Sequence, residues 1–266
     1  MVFKDLVCIP IHYYMLSLIK QIIPLHIKII LSYQLVRLKG KLDSGNEVEC
    51  NICGNHYTRF GNFGGRISVL CPGCFSLERH RLVYQYLKDK TEVFKKPMRV
   101  LHFAAEKCIH DKVIQNQNLE YETADLLNQF MSMIEVRPKH QMSVTDIKFP
   151  DNHFDLILCN HVLEHVPDDV KAMSELYRVM KPGGMGIFQV PIDPKTDEIK
   201  EDYSLGPDDR KKFYGSIDHV RMYAEKGYMN RLSSVGFQVE ASDFRKQLNG
   251  DRLRLDPREN LIICRK

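Results

Sequence analysis

From residue 98 onward, short apolar runs of strand length alternate with longer stretches of helical period. Residues 99–103, 119–123, 140–144, 154–160, 184–190, 237–244 and 260–264 read as strands. The clearest helix covers 168–180 and is closed by the breaker Lys181-Pro182-Gly183-Gly184. Such alternation implies a parallel sheet with helices on both faces. The last two strands, separated by the polar stretch 245–259, can pair as a hairpin at a sheet edge. Ahead of this body, 79–96 reads as a helix with Leu82, Val83, Tyr86 and Leu87 on one face.

The N-terminus has a different pattern. Of residues 6–36, 21 are apolar, interrupted by Lys20, Pro24 and Lys28. The longest stretch without a charge is 14 residues, 6–19, and a spanning helix needs about 20. Two short amphipathic helices broken near Pro24 fit better, followed by the basic flank Arg37, Lys39 and Lys41. They pack either on the body, on a second subunit, or on a membrane surface.

With 44% hydrophobic and 27% charged residues over 266 positions, the composition is globular and excludes a largely disordered chain. Charge divides the chain. Residues 1–97 carry 14 Lys/Arg against 7 Asp/Glu, and residues 98–266 carry 24 against 27. A basic N-terminal part suited to an anionic surface precedes a mildly acidic body. Cys8, Cys108, Cys159 and Cys264 are scattered through apolar stretches, as buried thiols are, which predicts a reducing, cytoplasmic setting. The opening MVFKD, with Asp5 and no small-residue cleavage site after it, does not read as a secretory signal.

The other four cysteines form the pairs Cys50/Cys53 and Cys71/Cys74, with 17 residues between. The spacing C-x2-C-x17-C-x2-C predicts tetrahedral Zn2+ in a small ribbon over 46–78. Four thiolates leave no open position, so the metal would be structural. The domain order expected is a helical segment (1–45), the ribbon (46–78), a linker helix (79–97) and the α/β body (98–266).

Within that body, FPDNHFDLILCNHVLEHVPDD, ELYRVMKPGG and VGFQVE resemble class I S-adenosylmethionine-dependent methyltransferases, of the type 11 kind. HFAAE, TADL, QVP and DHVRMY behind a zinc ribbon are similar to bacterial methyltransferases associated with surface-polysaccharide and glycosyl-transfer pathways. The resemblance implies a Rossmann-like, doubly wound, seven-stranded sheet with its last strand antiparallel. It also implies S-adenosylmethionine bound beyond the carboxyl ends of the strands, where such sheets take their ligands.

The implied cofactor positions are Phe103, Ala104, Ala105 and Glu106 after the first strand, where the family usually carries glycines. Asp125, 19 residues beyond Glu106, is the expected ribose ligand. Ser143, with Asp146 nearby, stands where the family binds adenine, and Asn160 and His161 follow the fourth strand. His161, Glu164 and His165 have the i, i+3, i+4 spacing of a helix-borne metal site, although the LEHV stretch recurs in methyltransferases that need no metal. The polar insertion 191–216 is either a solvated loop or a lid over the acceptor pocket. Beyond it, His219 is expected as general base, with His161 the other choice and Arg221 orienting the acceptor.

The reading is an enzyme that methylates a small-molecule or glycan acceptor, most simply a hydroxyl of a glycan or glycolipid intermediate. Residues 1–41, with six Lys/Arg against one Asp, would touch the inner face of a membrane peripherally. Two alternatives stand beside it. An RNA methyltransferase would use the ribbon on nucleic acid, although that region has no dense basic stripe. A degenerate, non-catalytic scaffold is favoured by the missing glycines.

Overall fold

The computed structural model describes residues 25–126 and 136–266. The expected helical pair at the N-terminus lies mostly outside them, and a helix over Leu25–Leu42 is its described part. That helix meets the ribbon near its end: Gly40 is buried, and a Cβ there would come within 2.2 Å of Pro72. Further back, Ile27, Leu31, Leu35, Leu38 and Leu42 are exposed at helical spacing. No helix among the described residues is long and apolar enough to cross a membrane.

The ribbon is two small antiparallel pairs. Strand β1 (Val48–Glu49) pairs with β2 (His56–Tyr57), and β3 (Gly61–Phe63) pairs with β4 (Arg66–Leu70). The helix Glu78–Lys90 then leads into the body, whose strands are β5 (Met98–Phe103), β6 (Leu119–Asp125), β7 (His140–Gln141), β8 (Phe154–Cys159) and β9 (Met180–Ile187). Strand β10 (Lys200–Glu201) pairs outside the main sheet with β11 (Arg221–Met222), and β12 (Gln238–Ser242) and β13 (Leu261–Arg265) complete the chain.

Seven strands form one sheet in the order β12-β13-β9-β8-β5-β6-β7. The pairs among β5 to β9 are parallel, and β13 runs antiparallel to both β9 and β12. This is the doubly wound sheet with an antiparallel last strand that the family resemblance implied, and the late hairpin sits at its edge as expected.

Period-two alternation explains why both faces are covered. Val100, Leu156, Leu158, Leu261 and Ile263 point to one face, where they meet Leu82, Val83, Tyr86 and Leu87 and the ribbon's Ile52, Tyr57 and Phe60. Leu101, Phe103, Ile157, Cys159, Ile262 and Cys264 point to the other, against Met173, Leu176, Val179, Tyr228 and Leu232. The segment expected as a linker helix is therefore built into a core that ribbon and sheet share.

Three strand boundaries differ from the sequence reading by three residues or more. Strand β7 stops at Gln141 rather than 144, because Ser143 Oγ accepts the Thr145 N–H and turns the chain. Strand β9 begins at Met180, not 184. Its pairing jumps from Phe154↔Met180 to Leu156↔Met185, so the expected breaker is a bulge inside the strand. It also ends early, at Ile187, where Gln189 substitutes its side-chain amide for the backbone ladder, donating to Asn260 O and accepting from Ile262 N. The helix Asp169–Val179 is capped by Asp168, whose carboxylate accepts the Lys171 N–H at 2.9 Å. A cap of this kind contributes about 1 kcal/mol.

Candidate functional site

Two clusters carry chemistry, and the ribbon is the more local. Its two Cys-x-x-Cys turns are built alike. Gly54 N–H donates to Cys50 O and Phe75 N–H to Cys71 O, while Cys50 N–H and Cys71 N–H donate to Asn55 O and Ser76 O. The residue after each second cysteine is left-handed, with φ of 74° at Gly54 and 58° at Phe75. These knuckles bring the four sulfurs within 4.8 Å of one another, with Cys50–Cys74 at 3.5 Å and Cys53–Cys71 at 3.6 Å. Four thiolates at about 2.3 Å from a tetrahedral ion would stand about 3.8 Å apart, so the donor set fits Zn2+. Arg81, fully buried, stacks over Phe60 and donates to Ser76 O and Val69 O, placing a fixed positive charge beside the sulfurs.

The second cluster lies at the carboxyl ends of β5, β6 and β8. After Phe103 the chain turns through Ala104, whose φ of 46° is the left-handed conformation that glycine usually supplies. The turn is thus retained without the glycine, at a cost of about 1–2 kcal/mol. Ala105 is buried behind it. Glu106 follows and is held from two sides: His102 Nε2 lies 2.7 Å from Oε2, and Asn160 Nδ2 donates to Oε1 at 3.2 Å. Tyr121 Oη lies 2.9 Å from His102 Nδ1; with that hydroxyl donating, the imidazole presents its Nε2–H to the carboxylate. Burial opposes the Glu106 charge, but the His102 hydrogen bond outweighs it and holds the carboxyl at about 2.

Asp125 ends β6, half-buried; burial raises its carboxyl and the Leu126 N–H pulls it partly back. Asn160 is buried and also accepts the Gln189 N–H, tying β8 to the segment after β9. His161 is left-handed at φ 54°, with Nδ1 3.2 Å from Glu164 Oε1 and a buried Nε2 lacking a hydrogen-bond partner. His219 arrives from beyond the insertion, pinned where Val220 N–H donates to Glu164 O. Both expected histidines therefore converge on Glu164.

Three expected residues are placed differently. Arg221 is fully buried, and its guanidinium donates to Leu163 O, Val166 O, Pro167 O, Tyr203 Oη and Glu201 Oε2. With all five donors engaged, it clamps the insertion to the turn after β8 and has none to spare for an acceptor. Ser143 is committed to its turn with Thr145. Asp146 faces solvent, paired with Lys148. The insertion itself is docked: β10 pairs with β11, and Glu201 joins Arg221 and Arg231 beside Asp169. His102, Gln189 and Tyr203 are functional supports that the sequence reading missed. Of these His102 and Gln189 left a signal, each a polar residue among apolar strand positions, Val100, Leu101 and Phe103 for the one and Ile187, Phe188 and Val190 for the other.

Residues 109–188 match the methyltransferase domain family. Among curated proteins, a ubiquinone/menaquinone biosynthesis C-methyltransferase of Psychromonas ingrahamii is 39% identical over 68 residues, 24% of this chain and 27% of that one. A demethylmenaquinone methyltransferase of Staphylococcus carnosus is 37% identical over 65 residues, with the same shares. The match thus spans about a quarter of the length of these relatives. Among solved structures, an S-adenosylmethionine-dependent methyltransferase of Archaeoglobus fulgidus aligns at TM-score 0.45 and 15% identity, covering 70% of this chain and 93% of that one. One from Mesorhizobium loti aligns at 0.46 and 13%, covering 65% and 93%.

The sheet order and the family match define an α/β methyltransferase fold. The match to the methyltransferase domain covers residues 109–188, within that sheet.

Proposed function

We propose that the protein binds S-adenosylmethionine over the carboxyl ends of β5, β6 and β8 and methylates a hydroxyl of a glycan or glycolipid intermediate. The observation that carries this reading is the left-handed Ala104 turn at the carboxyl end of β5, beside Asp125, in a sheet whose residues 109–188 match the methyltransferase domain. Asp125 would hold the ribose hydroxyls, and the ionised Glu106 with Asn160 would face the cationic end of the cofactor. When bound, S-adenosylmethionine supplies an electrophilic methyl on a sulfonium. The residues of this chain then have to align the acceptor oxygen and take its proton, and alignment supports much of such an acceleration.

His161 or His219 is the proton acceptor in this reading. His219 Nδ1 lies 2.7 Å from Tyr214 O, which fixes Nδ1 as the donor and leaves Nε2 as the basic nitrogen. Zn2+ in the four-cysteine ribbon would be structural. Methyl-labelled cofactor offered with glycolipid, soluble-glycan and RNA fractions tests the acceptor. Label is expected in a glycan-bearing fraction, falling about 10²–10⁴-fold when the base is replaced by alanine. Label in RNA alone would reject the glycan assignment.

We also infer that the helix Leu25–Leu42 rests on an anionic membrane surface. Support comes from its exposed stripe of Ile27, Leu31, Leu35, Leu38 and Leu42 and from the basic Arg37, Lys39 and Lys41. Sedimentation with anionic vesicles should lose the protein from the supernatant at low salt and release it at high salt. Equal recovery with and without residues 1–41 would contradict it.

A further inference from the structure

We propose that Glu164, His165 and His219 form a second metal site, for a divalent first-row transition ion such as Zn2+, open on one side at the carboxyl edge of the sheet. One ligand atom from each of the three lies within 4.8 Å of the others. The three residues come from two segments, the 3-10 turn Leu163–His165 after β8 and the approach to β11, locked together by the hydrogen bond from Val220 N–H to Glu164 O.

The independent observation is Glu164 itself. Its side chain is only 1% exposed, yet neither carboxylate oxygen has a hydrogen-bond partner among the described residues. A carboxylate stripped of water in this way costs several kcal/mol unless a cation or donors offset it. Two imidazoles approach Oε1, His161 Nδ1 at 3.2 Å and His165 Nε2 at 4.0 Å. Oε2 has no hydrogen-bond or ion-pair partner among the described residues. A cation seated among these groups would satisfy both oxygens.

The imidazoles are oriented as metal ligands are. His219 gives its Nδ1–H to Tyr214 O at 2.7 Å, and His165 Nδ1 faces Asp218 Oδ2 at 3.3 Å. Asp218 is itself steadied by the Ser216 hydroxyl. Each ring therefore keeps Nε2 as its lone-pair nitrogen, backed by a carbonyl or a carboxylate, the usual outer-shell arrangement. Two imidazoles and one carboxylate make three protein ligands, which leaves a coordination position for water or an acceptor oxygen. The contrast with the ribbon is chemical as well as spatial, since nitrogen and oxygen donors select differently from four thiolates. In this assignment His219 is a ligand, and His161 is left as the proton acceptor of the pair.

The full chain, with its ribbon metal quantified first, is titrated with Zn2+ against a chromophoric chelator and, separately, with Co2+. A second equivalent beyond the ribbon metal is expected. Its Co2+ spectrum should show ligand-field bands without sulfur-to-metal charge transfer, which distinguishes it from the four-cysteine site even if that site fails to load. Glu164→Gln and His219→Ala should abolish this equivalent. Asp218→Ala, at a mostly exposed position, should keep the fold and weaken binding about 10–100-fold. A wild type that takes up no nitrogen- and oxygen-bound equivalent would overturn the proposal. So would an equivalent that all three variants bind as tightly as the wild type.

Discussion

The ribbon cysteines come from two short knuckles with nearly identical hydrogen bonds, whereas Glu164, His165 and His219 come from a turn after β8 and a segment beyond the insertion. The first cluster is assembled by local chain geometry. The second exists only once the insertion has docked and Arg221 has tied Glu201 and Tyr203 to the carbonyls of Leu163, Val166 and Pro167. A closed set of four sulfurs suits a part that supports the core. A half-open set of mixed donors at the sheet's carboxyl edge suits a part that meets a substrate.

The comparison breaks most visibly at the ribbon. Cys71→Ser should lose the structural ion, and because Ile52, Tyr57 and Phe60 share a core with the sheet, the whole unit should suffer. Structural Zn2+ contributes about 10 kcal/mol or more to small ribbons, so a cooperative loss of several kcal/mol is expected here. Metal analysis with thermal unfolding checks it. A variant that loses its ion and unfolds at the wild-type temperature would show that ribbon and body are energetically separate.

At the other cluster the expected effect is smaller. Arg221→Lys replaces five fixed donors by three mobile ones and leaves buried acceptors beside Glu201 unpaired. About 3–5 kcal/mol should be lost, read by denaturant unfolding. Unchanged stability with a raised KM would instead return Arg221 to the acceptor-orienting role expected from the sequence.

The difference between the clusters also explains what was legible in the sequence. Cysteine spacing and the alternation of strand-like with helix-like segments are local signals, and they located the ribbon and the seven strands, while the antiparallel close came from the family resemblance. Lys181-Pro182-Gly183-Gly184 misled because the same residues that end a helix also make a bulge, and only the partner strand decides between them. Arg221 was misplaced for a related reason. Its partners are main-chain carbonyls more than fifty positions away, and no sequence pattern marks a carbonyl as an acceptor. The glycine-free turn after β5 looked like a defect, whereas the backbone there is left-handed at Ala104 in spite of it. His102 and Glu106 stand four positions apart, but a strand-to-loop contact gives that spacing no helical meaning.

The central claim is that this turn and Asp125 hold S-adenosylmethionine, and calorimetric titration of the intact protein with that cofactor tests it most directly. Wild type should bind with one-site stoichiometry. Asp125→Ala should weaken binding about tenfold or more, as expected when a charge-assisted hydrogen bond of about 1.5–3 kcal/mol is removed, with the unfolding temperature little changed. A folded wild type that gives no heat and no thermal stabilisation with S-adenosylmethionine would contradict the account and leave the methyltransferase fold as a scaffold.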